Sequence, residues 1–217
     1  MDIKQYQGAI FDLDGVLVDT AKYHYLAWKQ LADELGFDFT RQQNEALKGV
    51  SRMRSLELLL GFGGMMGRFS EEEMHDMAEK KNRIYVEYVK KLRQEELLPG
   101  VKELLERMKD SGIKIALGSA SKNAEMILEG LGITKYFDAI VDGTMVTKAK
   151  PDPEVFLLGA KLLGVSAEEC VVFEDSTAGI QAAKRAGMGT VGIGKRKNLL
   201  EADMVLECVG EFVRYLR

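Results

Sequence analysis

Six short apolar runs recur along the 217-residue chain, and they limit the possible folds more than any other feature does. Each run is continuous and does not alternate with polar residues, which is typical of strands covered on both faces of a parallel sheet. Helical patterns lie between most of the runs, and several stop at a glycine, a common end signal. The sequence therefore predicts an α/β fold with a doubly wound parallel sheet. The predicted strands are Gly8–Phe11, Ile113–Leu117, Ala139–Val141, Cys170–Phe173, Thr190–Ile193 and Met204–Leu206.

One long stretch, from about residue 20 to residue 95, shows helical periodicity and no convincing strand pattern. The periodicity predicts a first helix that stops at Gly36 and a loop at Gly61–Gly67. We expect an α/β catalytic core formed by residues 1–19 and 96–217, with residues 20–95 inserted as a helical cap domain. The further helical segments of the insertion are predicted near Arg41–Leu47, Ser51–Leu60 and Ser70–Lys91.

Composition and charge exclude several classes of partner. The net charge is −4, with acidic and basic residues well mixed, so the chain lacks the basic face of a nucleic-acid binder. No apolar run approaches the roughly 18 residues that a membrane-spanning helix needs. Cys170 and Cys208 lie in apolar surroundings and are predicted to be reduced, buried thiols. These features favour a cytoplasmic protein, and a monomer is the default expectation.

Two aspartates follow the first predicted strand, in the segment FDLDGVLVDT at residues 11–20. Asp12 comes directly after the strand, and Asp14 precedes Gly15. Ligands of open parallel sheets bind beyond the carboxyl ends of the strands, where Asp12 and Asp14 are expected. Such a segment can also be an ordinary surface turn, because aspartate and glycine are common turn residues.

Polar side chains follow three further strands, and each has an ordinary structural explanation when taken alone. Ser119 and Ser121 can cap a helix, Lys150 can be a solvated surface lysine, and Glu174-Asp175 can favour a helix N-terminus. Together, however, these residues place a hydroxyl, a lysine and a second acid pair around the crevice that Asp12 is expected to face.

This combination of groups indicates phosphoryl transfer. A rigidly held Asp12 can attack phosphorus and form a covalent intermediate, while Asp14 can protonate the leaving oxygen. Asp175 and its neighbours offer the oxygen ligands that Mg²⁺ prefers. Ser119 and Lys150 can balance the remaining charge of the phosphoryl group.

These motifs, in this order and at this spacing, resemble the haloacid dehalogenase superfamily. The presence of a second aspartate, Asp14, resembles the pattern of the phosphatase and phosphomutase branch of that superfamily. Within that branch, the chain resembles the β-phosphoglucomutase family in the segments DTAKYHYLAWK, LKGVSR, EKKN, ALGSASKN and FEDSTAGI. The resemblance implies a Rossmann-like core with a helical cap. It also implies interconversion of β-glucose 1-phosphate and β-glucose 6-phosphate through a bound 1,6-bisphosphate.

The resemblance also implies roles for individual residues. Asp12 matches the phosphorylated nucleophile, Asp14 the acid/base whose carbonyl binds magnesium, and Ser119 and Lys150 the residues that hold the phosphoryl group. The implied metal set is Asp12, Asp14, Glu174 and Asp175. Arg52 matches the residue that binds the distal phosphate, and a phosphate is also electrostatically favoured at the helix start expected there. The other implied substrate-binding positions are Thr20, His24, Trp28, Lys48, Gly49, Val50, Ser51, Lys81, Asn82, Ala120, Ser121, Lys122 and Asn123.

Several cap positions have structural alternatives, and so does the function. Trp28 has helical spacing with Leu31 and Leu35, which is typical of packing, and His24 on the same helix can be a partly buried histidine. Lys81 lies in a charged helix, where a solvated face is the usual explanation. A sugar-phosphate phosphatase of the same fold is the first alternative to a mutase. A non-catalytic binding protein is the second, although it predicts loss of a motif residue and none is lost.

Overall fold

The computed structural model describes residues 6–47 and 52–216. The chain divides into two compact units. One unit, called the α/β unit here, contains the residues up to 19 and those from 92 onward, and the helical unit contains residues 20–91. Within the described ranges, no helix is both long enough and apolar enough to cross a membrane.

The α/β unit is built on a six-stranded sheet in which every strand pair is parallel. The strand order is β3-β2-β1-β4-β5-β6, the order of a doubly wound Rossmann-type sheet. The predicted fold class and all six predicted strands are confirmed, with ends that differ by no more than one residue. The strands are β1 (Gly8–Phe11), β2 (Lys114–Gly118), β3 (Ala139–Val141), β4 (Cys170–Glu174), β5 (Gly189–Ile193) and β6 (Met204–Leu206).

Four α-helices and several 3₁₀ turns connect these strands. The helix at Val101–Asp110 shows why they form, because Val101, Leu104, Leu105 and Met108 share one face and are all buried. The turns are Gln94–Glu96, Thr134–Tyr136, Ala167–Glu169, Arg196–Asn198 and Val209–Tyr215. With the helical unit numbered first along the chain, the four helices are α5 (Val101–Asp110), α6 (Ala124–Gly130), α7 (Glu154–Leu163) and α8 (Thr177–Arg185).

The central strands β1 and β4 lie side by side, with Phe11 paired to Phe173. The two rings stack with centroids 4.5 Å apart, and the ring of Phe212 meets Phe173 edge-on at 4.8 Å. All three side chains are fully buried. This packing fixes the carboxyl ends of both strands, from which Asp12 and Glu174 project.

The helical unit contains α1 (Ala21–Glu34), α2 (Arg41–Asn44), α3 (Arg52–Phe62) and α4 (Glu71–Val89), with a 3₁₀ turn at Glu45–Leu47. Its core includes Trp28, Leu31, Leu56 and Leu59, which are all buried. The expected capping box is present at the start of α4, where Ser70 and Glu73 each accept a hydrogen bond from the other's backbone N–H.

Two sequence predictions need correction. The loop predicted at Gly61–Gly67 begins later, because α3 continues through Phe62, whose ring packs 6.2 Å from that of Phe39. Cys170 is buried as predicted, but Cys208 is partly exposed. It lies immediately before the Val209–Tyr215 turn and lines a surface cleft of about 410 Å³.

We expect Phe156→Ala to lower the free energy of unfolding by about 3–5 kcal/mol, the usual cost of truncating a buried aromatic ring. The neighbouring variant Leu157→Ala is the matched control, because Phe156 is fully buried whereas Leu157 is 43% exposed. Leu157→Ala should cost less than about 1 kcal/mol. Denaturant unfolding of both variants measures the difference, and equal costs would show that the assigned core position of Phe156 is wrong.

Candidate active site

A buried lysine links the ends of the two central strands. Lys150 Nζ donates hydrogen bonds to Asp12 Oδ1 at 2.5 Å and to Glu174 Oε2 at 2.8 Å. Asp12 comes directly after β1, and its backbone N–H bonds the carbonyl of Phe173 in β4 at 2.9 Å. Glu174 is the last residue of β4. The parallel pairing of β1 with β4 therefore brings together two acids that are far apart in sequence.

The ring of Phe156 packs against Lys150, with its centroid 4.7 Å from Nζ. Burial by itself would lower the pKa of Lys150, but the carboxylates of Asp12 and Glu174 outweigh it and raise the pKa above its ordinary value. Lys150 is therefore a permanently charged ammonium group between two carboxylates, and it is not the solvated surface lysine of the alternative explanation.

Glu174 is held in place by the start of α8. Its Oε1 accepts hydrogen bonds from the Ser176 hydroxyl at 2.8 Å and from the backbone N–H groups of Asp175 and Ser176 at 3.1 and 3.0 Å. Although burial acts to raise it, Lys150 and these hydrogen bonds hold the pKa of Glu174 below its ordinary value. The Ser176 hydroxyl also accepts the N–H of Gly179 and so caps α8. One serine thus fixes both the helix start and the acid.

Glycines make room for both acids of the Glu174-Asp175 pair. A Cβ atom at Gly179 would lie 2.0 Å from the carboxyl group of Glu174, and one at Gly15 would lie 2.1 Å from Asp175 Oδ2. Gly15 also has φ +76°, in the left-handed region that favours glycine. The DxDG turn can therefore pass directly against Asp175.

The carboxylates carry more negative charge than Lys150 can neutralise. Burial raises the pKa of Asp12 well above its ordinary value, and the charges of Glu174 and Asp14 act in the same direction. Asp175 keeps surface in contact with solvent, but desolvation by the packed protein, followed by Glu174 and Asp14, raises its pKa to about 7. Buried carboxylates that lie close together and resist ionisation are the environment in which a cation is favoured.

Three of these side chains could hold a metal ion. One carboxylate oxygen from each of Asp12, Glu174 and Asp175 can be chosen so that all lie within 4.8 Å of one another. Oxygen-only donors at this spacing suit a hard divalent cation. The side chain of Asp14 is not a member of this group.

Two serine side chains stabilise the turn that follows β2. Ser119 is buried, and its hydroxyl accepts the N–H of Ser121 at 3.1 Å. The Ser121 hydroxyl in turn accepts the N–H of Asn123 at 3.2 Å. Ala120 and Lys122 are exposed, and the carbonyl of Ala120 would lie 2.1 Å from a Cβ atom at Gly143, so the two loops pass closely.

Three predicted residues of the helical unit lie together around a buried lysine. Lys81 Nζ is 2.8 Å from His24 Nδ1 and lies over the ring of Trp28, 4.6 Å from its centroid. Burial and then Arg52 lower the pKa of Lys81 to about 7. Burial, Lys81 and Arg52 lower the pKa of His24 to about 3, so His24 is neutral and its Nδ1 accepts a hydrogen bond from Lys81. Trp28 packs in the core of the unit, and Lys81 is not on a solvated face.

The remaining predicted residues are dispersed over the helical unit. Arg52 begins α3 and forms an ion pair with Glu79 of α4. Thr20 is buried at the N-terminus of α1, and Asn82 is half-buried in α4. Lys48, Gly49, Val50 and Ser51 lie outside the described residues.

The sequence analysis assigned no role to four residues that shape these groups. Ser176, Gly179, Phe156 and Glu79 position Glu174, Lys150 or Arg52, as described above. The spacing of Ser176 and Gly179 is that of an N-cap and could have identified the serine. The contacts of Phe156 and Glu79 join separate elements and leave no local pattern.

Comparison with known proteins gives consistent matches. A family model described as haloacid dehalogenase-like hydrolase matches residues 9–193. The β-phosphoglucomutase of Bacillus subtilis (strain 168) is 48% identical, over 92% of this chain and 88% of that protein. The phosphorylated carbohydrates phosphatase of Thermotoga maritima is 35% identical, over 92% of each chain. A crystal structure of β-phosphoglucomutase from Clostridium difficile has a TM-score of 0.84 and 46% identity, over 95% of this chain and 92% of that one.

The fold and the site define a parallel α/β protein with one lysine and a group of carboxylates at the carboxyl ends of its central strands. With the matches above, the chain belongs to the haloacid dehalogenase-like hydrolase family. The resemblance seen in the sequence motifs is confirmed.

We expect Gly179→Ala to displace Glu174 and so to weaken the binding of divalent cations. The substitution should also lower the free energy of unfolding by roughly 1–3 kcal/mol, the usual cost of overpacking, despite the better helix propensity of alanine. Thermal unfolding with and without Mg²⁺ measures both effects, since a ligand that binds the folded state raises the midpoint.

Gly61→Ala is the matched control, because Gly61 also lies in a helix and its added Cβ would meet Met66 only at 3.8 Å. This variant should keep the response to Mg²⁺ and gain up to about 1 kcal/mol. A Gly179→Ala protein with the stability and Mg²⁺ response of the unaltered chain would contradict the assigned position of Glu174.

Proposed function

We propose that this protein is a phosphomutase that interconverts β-glucose 1-phosphate and β-glucose 6-phosphate through an aspartyl phosphate and a bound 1,6-bisphosphate. The observation that carries the proposal is the contact of Lys150 with both Asp12 and Glu174 at the ends of β1 and β4. It occurs in a chain 48% identical to the β-phosphoglucomutase of B. subtilis. An acid, a lysine and a second acid held in this way are the groups that phosphoryl transfer needs.

Asp12 is the proposed nucleophile. Its backbone N–H bonds the carbonyl of Phe173 and its carboxylate accepts a bond from Lys150, so the carboxylate has little freedom to turn away from an incoming phosphorus atom. Lys150 stabilises the ionised carboxylate, which is the reactive form. Attack of a carboxylate oxygen on phosphorus forms the aspartyl phosphate and breaks the bond to the sugar oxygen.

Asp14 is the proposed acid and base. It lies in the turn two residues after Asp12. In its protonated form it gives a proton to that oxygen. Afterwards its carboxylate takes the proton of the sugar hydroxyl that attacks the aspartyl phosphate, so the proton count balances over the two transfers.

The proposed cofactor is Mg²⁺. The carboxylates of Asp12, Glu174 and Asp175 would hold it, with the carbonyl of Asp14 that the resemblance implies. When bound, Mg²⁺ would screen the repulsion between Asp12 and the phosphoryl oxygens. Ser119 and Lys150 would bind the remaining phosphoryl oxygens through their hydroxyl and ammonium groups.

Residues 20–95 are the proposed cap, and their role is to select a sugar hydroxyl over water as the second acceptor. A mutase must exclude water from the aspartyl phosphate, whereas a phosphatase must admit it. Arg52 and the Ser121–Asn123 segment are proposed to bind the phosphate that is not transferred, so that only a phosphorylated sugar completes the site. Identity to the T. maritima phosphatase makes hydrolysis the second candidate.

The deciding experiment supplies β-glucose 1-phosphate with Mg²⁺ and a β-glucose 1,6-bisphosphate primer. Formation of glucose 6-phosphate supports the mutase, and stoichiometric release of inorganic phosphate would establish the phosphatase instead. Loss of both activities would contradict phosphoryl transfer to sugars.

We expect Asp12→Asn to abolish turnover, by at least about a thousandfold, because an amide cannot form the acyl phosphate. The variant should remain folded, since the amide oxygen still accepts a bond from Lys150. Turnover is measured in the primed assay, and a covalent phosphate is sought by mass spectrometry after acid quenching. Asp142→Asn, outside the proposed site, is the control and should retain activity. An active Asp12→Asn protein would rule out the aspartyl phosphate.

We expect Arg52→Ala to reduce mutase turnover by roughly 30-fold, because losing a charge-assisted hydrogen bond costs about 2 kcal/mol. The ratio of hydrolysis to isomerisation should rise at the same time, since water would be excluded less well. Arg54→Ala is the control, because Arg54 lies on the same helix and pairs with Glu57 at 2.6 Å. Unchanged turnover in Arg52→Ala would count against a distal phosphate site at this residue.

A further inference from the structure

The ion pair between Arg52 and Glu79 lies within reach of solvent. Arg52 Nη1 contacts Glu79 Oε1 between the start of α3 and the middle of α4. The side chains are 33% and 41% exposed, so a dissolved anion can approach the guanidinium without unfolding the unit. The pair is therefore exchangeable, unlike the buried contacts of Lys150.

The charges around this pair are positive. Lys81 is buried on α4. Burial lowers the pKa of Lys81 most, the charge of Arg52 lowers it further, and no carboxylate raises it. Burial and the charges of Lys81 and Arg52 likewise lower the pKa of His24, which lies beside Lys81. Arg52 and Lys81 are called the cationic cluster here, and the neutral His24 lies beside Lys81. Among the described residues, Glu79 is the carboxylate in contact with this cluster.

A carboxylate on a guanidinium occupies the same donors that a phosphate would use. Both anions present two oxygens to the planar N–H groups of arginine. With Oε1, Glu79 therefore occupies an N–H donor of Arg52 that the proposed function gives to the distal phosphate of the substrate. A phosphate dianion carries more charge than a carboxylate, and the cationic cluster favours it for that reason.

We propose that Glu79 is a specificity-determining residue that competes with the substrate for Arg52 and so sets the affinity of this site for phosphorylated sugars. The inference rests on the proposed function, because that function makes Arg52 the ligand of the distal phosphate. Glu79 is tethered near Arg52 and acts as a competitor at a high local concentration. Weakly charged anions are thereby kept out, and a phosphate dianion must displace Glu79 to bind.

The test compares Glu79→Gln with the unaltered protein in the primed β-glucose 1-phosphate assay at low ionic strength. Glutamine keeps the size of the side chain and removes its charge. We expect KM to fall about two- to fivefold, the range that an exposed ion pair is worth, while kcat does not rise. Glu72→Gln is the matched control, because Glu72 is exposed on the same helix about 10 Å nearer its start. An unchanged KM in Glu79→Gln, or an equal fall in Glu72→Gln, would overturn the inference.

A second comparison shows whether the effect passes through Arg52. In the Arg52→Ala background, Glu79→Gln should change KM by less than about 1.5-fold, because the contact that it relieves is already gone. A full effect in that background would contradict competition for Arg52. If Glu79 had only a structural role, Glu79→Gln would lower the thermal midpoint, and its effect on KM would not depend on the presence of Arg52.

Calorimetric binding of glucose 6-phosphate separates this inference from the proposed function. If the primed assay releases phosphate and forms no isomer, the mutase is wrong. Glu79→Gln should nevertheless bind glucose 6-phosphate two- to fivefold more tightly than Glu72→Gln if Glu79 competes for Arg52. If isomerisation proceeds and the two variants bind equally, the function stands and the role of Glu79 is wrong.

Discussion

The site of the α/β unit depends on the charge of Lys150. Two buried carboxylates, Asp12 and Glu174, face each other across the ends of β1 and β4, and each would be costly to ionise alone. The ammonium group between them lowers the cost of both charges, and its own charge is stabilised in return. Breaking the group by removing one member leaves the others uncompensated, so these residues act together.

The backbone builds this arrangement from a short list of constraints. Parallel pairing of β1 with β4 sets the distance between the acids, and the stacked rings of Phe11 and Phe173 keep the strand ends in register. Gly15 and Gly179 then allow backbone to pass where a side chain would collide with Asp175 and Glu174. The chemistry of the carboxylates is therefore secured by residues that carry no reactive group.

Features that depend on neighbouring residues in the sequence could be predicted, whereas features that depend on contacts between distant segments could not. The six strands and the capping box of Ser70 and Glu73 are local patterns, and both were predictable. The motif residues could also be assigned to one edge, because parallel strands end together. The end of α3 at Phe62 and the exposure of Cys208 depend on packing between distant segments, which no window of sequence contains. The pairing of Arg52 with Glu79 is likewise long-range, and a run of charged residues on α4 gave no sign of it.

The groups of charged residues in the two units have opposite imbalances of charge, and each imbalance indicates the kind of ion that its group would bind. In the α/β unit, burial, Glu174 and Asp14 raise the pKa values of Asp12 and Asp175 even with Lys150 present, so this site is short of positive charge. In the helical unit, burial, Lys81 and Arg52 depress the pKa of His24, so the surroundings of these two cations are short of negative charge. A divalent cation answers the first imbalance and a phosphate dianion the second.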